Sequence, residues 1–244
     1  MKNNNPNNKN HIFRFKNFDV TDTNCGQKIG TDGVLLGSVA ALKQSVNVLD
    51  IGTGSGIIAL MIAQKQDASI DAVEIDQDAC IDANKNFSNS PYKDRIKLYN
   101  RSIQDFTNHN PKKYDLIVCN PPFFHNSYKS EKLKRDLARH SDFMPFDILF
   151  ECVCKLLEPG GVFLLITPYK QDEEIIELTK NNALYIQKQM IIRPTPEKHP
   201  HRIIHEISKQ NKGVKKNELT IETGLRHNYT KEYIELTRDY YLNM

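Results

Sequence analysis

Asn120-Pro121-Pro122-Phe123 is the stretch whose residue types could do chemistry most directly. It follows an apolar run, 114–119 (YDLIVC), that reads as a buried strand, so the tetrapeptide sits where a strand ends and a loop begins. Two consecutive prolines cannot extend a strand ladder, and the residue before each proline is pushed to extended geometry. The result is a rigid loop offering the Asn120 amide, an outward Pro121 carbonyl, and the Phe123 ring. That set suits gripping a planar group that carries an NH2, such as the amino edge of adenine. The Asn120 side-chain oxygen and the Pro121 carbonyl would accept its two N–H bonds and stabilise positive charge growing on nitrogen as it attacks an electrophile. Phe123 would stack on the ring and hold it in line. Asn120, Pro121, Pro122 and Phe123 are therefore the candidate catalytic set.

A second cluster lies upstream. Asp50-Ile51-Gly52-Thr53-Gly54-Ser55-Gly56 carries glycines at every second position, which lets the backbone turn tightly and come close to a ligand. The spacing differs from the GxGxxG dinucleotide fingerprint, and no Gly-Lys-Ser/Thr follows to make a P-loop. Asp50 at the end of its strand repels phosphate and welcomes a cation, so the expected ligand carries an ammonium or sulfonium. Such a turn can also be purely structural. Glu74 ends the next strand, where an acidic residue commonly takes ribose hydroxyls. Asp76 and Asp78 fit the plainer role of helix-start charges better than Glu74 does.

The elements that must position these residues alternate. Strand patterns cover 47–51, 69–75, 96–99, 114–119 and 162–167. Helical patterns cover 57–64, 77–86 with Asp76 as N-cap, 145–157 closed by Pro159-Gly160-Gly161, and 172–181. Strands 185–193 and 202–208 follow without a full helix between them. Repeated βαβ units predict an α/β fold: a Rossmann-like, doubly wound, mostly parallel seven-stranded sheet with an antiparallel C-terminal edge hairpin. The expected organisation is a disordered polar tail, 1–10, and one domain over 11–244.

With 244 residues and 39% hydrophobic content, the chain is long enough for one large α/β domain. No window is apolar enough to cross a bilayer, and no signal-peptide pattern opens the chain. Five cysteines show no CxxC pair, which implies a reduced, cytoplasmic protein. Cys152 and Cys154, two apart in a helix, point to different faces, so no metal site is expected. Net charge is only +3, but Lys129, Lys132, Lys134, Arg135 and Arg139 cluster just after Phe123. A later stretch crowds Lys198, His199, His201, Arg202, Lys209, Lys212, Lys215 and Lys216. Charge runs more often mark a solvated face, yet this distribution also suits a phosphate-bearing partner.

Together these residues resemble the class I S-adenosylmethionine-dependent methyltransferases. Residues 50–56 look like their first cofactor motif, Glu74 matches the ribose-binding acid, and Ser102-Ile103-Gln104-Asp105 matches the loop where the cofactor adenine is held. Asn120-Pro121-Pro122-Phe123 matches the amino-methyltransferase motif. Segments 15–20, 28–36, 139–140, 193–202, 229–233 and 236–242 narrow the similarity to the tRNA1(Val) adenine-37 N6-methyltransferase family. The resemblance spans roughly residues 12 to 244 and has no counterpart for the asparagine-rich tail.

It implies methyl transfer from S-adenosylmethionine to the N6 of an adenine in tRNA, by a monomer that needs no metal. The implied cofactor residues are Lys28, Gly30, Thr31, Asp50, Gly52, Thr53, Gly54, Gly56, Glu74, Ile103, Asp105 and Asn120. The segment from Lys28 to Gly33 would close over the cofactor; its plainer reading is a helix start capped by Thr31 or Asp32. The implied substrate-side residues are Lys129, Arg139, His140, Lys198 and Arg202. A lone histidine such as His140 is more often structural than an acid–base catalyst. Rival readings are an N-methyltransferase for rRNA, DNA or a protein glutamine, and a silent RNA-binding module of the same fold. A glutamine enzyme would carry an added N-terminal helical domain, for which about forty residues are too few. The intact glycine turn, Glu74 and NPPF together speak against a silent module.

Overall fold

Strands covered by helices on both faces must be apolar on both faces, which is why the central runs show no alternation. The computed structural model describes residues 12–110, 112–122 and 144–244. Its strands are β1 (Ile12–Arg14), β2 (Asp19–Thr21), β3 (Asn47–Ile51), β4 (Ser69–Glu74), β5 (Ile96–Asn100) and β6 (Tyr114–Cys119). They continue as β7 (Leu157–Pro168), β8 (Tyr185–Arg193), β9 (Arg202–Ser208) and β10 (Lys215–Thr220). The helices are α1 (Thr31–Ala40), α2 (Ile57–Lys65), α3 (Gln77–Ser88) and α4 (Ile103–His109), then α5 (Phe146–Leu156), α6 (Asp172–Asn181) and α7 (Lys231–Thr237).

β1 and β2 form a small antiparallel hairpin, while the other eight strands make one sheet in the order β10-β8-β9-β7-β6-β3-β4-β5. All seven expected strands are in it, and β9 runs antiparallel to both β7 and β8. An eighth strand, β10, lies outside that antiparallel pair and joins β8 in parallel. Its sequence, KKNELT, is too polar to announce a strand, because an edge strand buries little; only Leu219 is inside.

One face of the sheet is covered by α1, α2, α3 and α7, the other by α4, α5 and α6. Helix α2 is buried at every position from Ile57 to Ala63, which explains its unbroken apolar sequence. Helix α5 stops within a residue of its expected end, but Pro159-Gly160-Gly161 does not separate it from the next strand, whose expected start is Val162. Helix α5 ends at Leu156 and the chain enters β7 directly. The triplet is taken up as an irregularity against β6: Tyr114 pairs with Leu157, and Leu116 already with Val162. Residues 1–10, the expected tail, lie outside the described residues. Among the described residues no helix is long and apolar enough to cross a membrane.

Candidate active site

Strand order fixes where a site can form. From β3 the chain moves outward through β4 and β5, then returns to the other side of β3 for β6 and β7. The reversal between β3 and β6 leaves a crevice at the carboxyl ends of the strands, the usual ligand position in open α/β sheets. Register fills it. Ile51 pairs with Val73 on one side and with Cys119 on the other. The next residues along the three strands are therefore Gly52 flanked by Glu74 and Asn120. Gly52 and Asn120, 68 positions apart in sequence, become neighbours at about the 4.8 Å strand spacing.

The glycine turn is built by its own hydrogen bonds. Gly52 and Thr53 N–H donate to Val73 O at 2.9 and 3.1 Å, and Gly56 N–H donates to Thr53 O at 2.8 Å. Gly52, Gly54 and Gly56 all have positive φ, at 67°, 55° and 83°. A Cβ at Gly52 or Gly54 would meet nothing within 4 Å, so this backbone borders open space. At Gly56 a Cβ would lie 2.3 Å from Phe87 Cε1. The first two glycines thus shape an open cradle, and the third allows α2 to start against α3.

Asp50 is wholly buried, with Oδ2 accepting from the Thr53 hydroxyl at 2.6 Å. Its Oδ1 is also buried and has no hydrogen bond of good geometry among the described residues. Burial pushes its carboxyl up to about 7, against the opposing pull of the Thr53 hydroxyl and the Ala59 N–H in the first turn of α2. Glu74 accepts from Gly54 N–H and Asp76 N–H, both at 2.9 Å, one on each oxygen. A carboxylate offers about four acceptor positions, so capacity remains for a hydroxyl donor. Burial raises its pKa too, partly offset by those backbone donors.

Asn120 is half-buried, and its Oδ1 is buried without a hydrogen-bond partner among the described residues. An orphaned amide oxygen is costly, and here it sits at the crevice where an incoming donor would satisfy it. The first turn of α1 forms the facing wall: a Cβ at Gly33 would lie 3.9 Å from Asn120 Nδ2 and 3.5 Å from Ile57 Cγ2. Pro121 is buried and Pro122 exposed. Phe123, Lys129, Arg139 and His140 lie outside the described residues.

Other expected site residues are placed less simply. The N-cap of α1 is Gly30, with no side-chain cap bond, so neither Thr31 nor Asp32 caps the helix as expected. Asp32 instead pairs with Arg202 at 2.8 Å. The exposed Lys28 donates to the carbonyls of Asp22 and Thr23, at 2.5 and 3.1 Å, and so closes its own loop. Residues 103–105, expected in a loop, open α4, because the Ser102 hydroxyl caps the helix by accepting from Asp105 N–H. Ile103 is buried, while the Asp105 carboxylate faces His109 at 3.2 Å and Arg101 at 3.9 Å on the surface. Lys198 is exposed in the loop 194–201, at the carboxyl-end rim beside Arg193, whose guanidinium donates to its carbonyl.

Two further residues bear on the site. Asn86 is buried and makes three bonds: it accepts from Thr21 N–H and donates to Thr21 O and Ser55 O, at 2.9, 2.7 and 2.8 Å. Asp82, one turn earlier, accepts from Asn24 N–H and Cys25 N–H at 2.7 and 3.0 Å. Helix α3 thereby ties the N-terminal segment to the glycine turn. The signal was available: Asp82 and Asn86 fall four apart, among the apolar positions Ala79, Ala83 and Phe87 of an otherwise amphipathic helix.

The profile of the methyltransferase small domain family (MTS) matches residues 25–178. A tRNA1(Val) (adenine(37)-N6)-methyltransferase of Flavobacterium psychrophilum is 43% identical over 235 residues, covering 96% of this chain and 100% of that protein. Among solved structures, a predicted O-methyltransferase from Agrobacterium tumefaciens superposes with a TM-score of 0.67 at 19% identity, over 86% of this chain and 96% of that one. A glycopeptide N-methyltransferase complexed with S-adenosylmethionine gives 0.54 at 15% identity, over 75% and 90% of the two chains. With that full-length identity and a family profile spanning the glycine turn, Glu74 and the NPP segment, the chain belongs to the methyltransferase small domain family, in its tRNA1(Val) (adenine(37)-N6)-methyltransferase branch.

Proposed function

We propose that this protein transfers a methyl group from S-adenosylmethionine to the exocyclic N6 of adenine 37 in tRNA1(Val), the reaction for which its relatives are named. The observation that carries the reading is Asn120 Oδ1, buried at the end of β6 beside an open glycine cradle and without a hydrogen-bond partner among the described residues. The cradle fits the cofactor: its backbone borders open space, the buried Asp50 carboxyl behind it favours a cationic group, and Glu74 keeps acceptor capacity for ribose hydroxyls. Gly52, Thr53, Gly54, Gly56 and Ile103 complete that half of the site. Bound there, S-adenosylmethionine supplies an electrophilic sulfonium methyl.

The amine of adenine is a poor nucleophile because its lone pair is delocalised into the ring. Asn120 Oδ1 and the Pro121 carbonyl accept its two N–H bonds and stabilise the positive charge that builds on nitrogen during attack. No strong base is required first, and the proton leaves to solvent afterwards. Phe123 takes the ring-stacking role by its place in the motif. The target base must be turned out of its loop stack to reach the crevice. Lys198 and its loop supply phosphate contacts at the rim.

The test is methyl transfer by purified protein from labelled S-adenosylmethionine to tRNA. Asn120→Ala should lower turnover by roughly 10²–10³-fold, the usual cost of losing one preorganised group that stabilises transition-state charge. Cofactor affinity by calorimetry should stay nearly intact. Near-normal turnover in this variant would sink the mechanism.

A further inference from the structure

The positive charge of this chain is concentrated in one part of the fold. Between residues 185 and 230 there are nine lysines and arginines and four glutamates, an excess of five, against +3 for the whole chain. Several of these charges are already engaged. Arg193 pairs with Glu218 at 3.0 Å, Arg202 with Asp32, and Glu206 with Lys43 at 2.6 Å. Lys209 donates to Leu157 O at 2.7 Å, and Lys216 acts on Asp172. Besides Lys198 of the rim loop and the exposed Arg226, Lys188, Lys212 and Lys215 remain without an ion pair among the described residues.

Two of these three sit against each other. Lys188 on β8 and Lys215 on β10 are register partners, so their side chains leave the same face of the sheet about 4.8 Å apart. Like charges directly opposite across a strand pair are unfavourable. Protection of a sheet edge accounts for a lysine on β10 but not for Lys188, which is one strand further in. Glu206 on β9 stands opposite Lys188 on its other side but is already held by Lys43, so three lysines share one carboxylate and an anion lying along this edge would relieve the remaining repulsion. The pair also stands at a defined distance from the rim loop. From Lys188 to Arg193, where the rim loop begins, five residues of strand span about 17 Å.

We propose that Lys188, Lys212 and Lys215 form a second phosphate-binding patch that grips the backbone of the RNA helix adjoining the target loop, while the rim loop holds the loop itself. The proposal rests on tRNA being the substrate. Strand β10 then has a purpose beyond widening the sheet: it sets a cationic edge one strand length below the rim and several strands to the side of the crevice. A substrate reduced to the unpaired loop would not reach it.

The experiment compares wild type with Lys188→Gln/Lys212→Gln/Lys215→Gln, all three partly or fully exposed, in binding to labelled tRNA from 50 to 300 mM salt. Lys93→Gln/Lys97→Gln, at the opposite edge of the sheet, serves as the control. The triple variant should bind tRNA on the order of tenfold more weakly at low salt, with a log–log salt slope shallower by about 2. Its KM for tRNA should rise while kcat and S-adenosylmethionine affinity stay as in wild type. Its KM for a short single-stranded oligonucleotide bearing the target adenine should not change. An unchanged slope in a variant that still methylates tRNA would overturn the patch, as would an equal effect from the control variant. A wild-type protein that binds tRNA with the patch-dependent slope yet methylates no adenine would instead overturn the proposed activity and leave the patch standing.

Discussion

Asp50 and Glu74 end neighbouring strands, yet they hold their charge differently. Glu74 is met on both oxygens by backbone N–H groups, whereas wholly buried Asp50 has the Thr53 hydroxyl on one oxygen and no hydrogen bond of good geometry on the other among the described residues. A carboxyl held at about 7 binds its proton more tightly folded than unfolded. In the ligand-free protein its contribution to stability is therefore full below about pH 4 and is lost as pH rises towards 7. A cationic group placed against Asp50 favours the carboxylate, so the linkage for binding has the opposite sense. S-adenosylmethionine affinity should rise with pH from 5.5 to 7.5, by up to roughly tenfold per unit below pH 7, and then level off. Asp50→Asn should bind more weakly and lose that dependence. Calorimetry in buffers of different ionisation enthalpy would detect the proton released. Pairing by Lys28 and Arg202 shows the limit of reading residues singly: both were legible as basic residues near a site, but not as partners of Asp22 O and Asp32. Such partners come from segments brought together only by the fold.

At the level of elements, the glycine turn depends on its supports as much as on its glycines. Gly56→Ala would force a side chain into left-handed backbone and against Phe87. That should cost on the order of 2–4 kcal/mol, read as a lower urea midpoint. Asn86→Ala leaves Thr21 N–H and two carbonyls without their partner inside α3's contact with the turn. A loss of about 2–3 kcal/mol is expected, together with weaker cofactor binding. If Asn86→Ala kept both stability and cofactor affinity, α3 would not be what holds the turn. Strands β6, β8 and β9 and helix α6 are legible to the residue because apolar runs there end sharply at polar or proline positions. Helix α4 escapes because its signal is a single capping serine, and β10 because an edge strand needs no apolar pattern. The crevice itself was readable from Asp50, Glu74 and Asn120. The orphaned state of Asn120 Oδ1 was not, since it depends on the register of β3 with β6.

Across the whole molecule, the chemistry and the charge occupy different parts of one sheet. The crevice lies at β3, β4 and β6, and the cationic excess lies at β8 to β10 and their loops. A substrate that uses both must be large and anionic, as a folded RNA is. Lys198→Glu at the rim should weaken tRNA binding and flatten its salt dependence while leaving cofactor binding unchanged; unaltered affinity at low salt would remove the rim from the RNA path. The central claim is tested most directly by mass spectrometry of nucleosides from purified tRNA1(Val), taken from cells lacking the gene and complemented with either wild type or Asn120→Ala. The account predicts that N6-methyladenosine disappears on deletion, returns with the wild-type chain, and stays absent with Asn120→Ala. Retention of the modified base in the deletion strain, or its full return with Asn120→Ala, would contradict it.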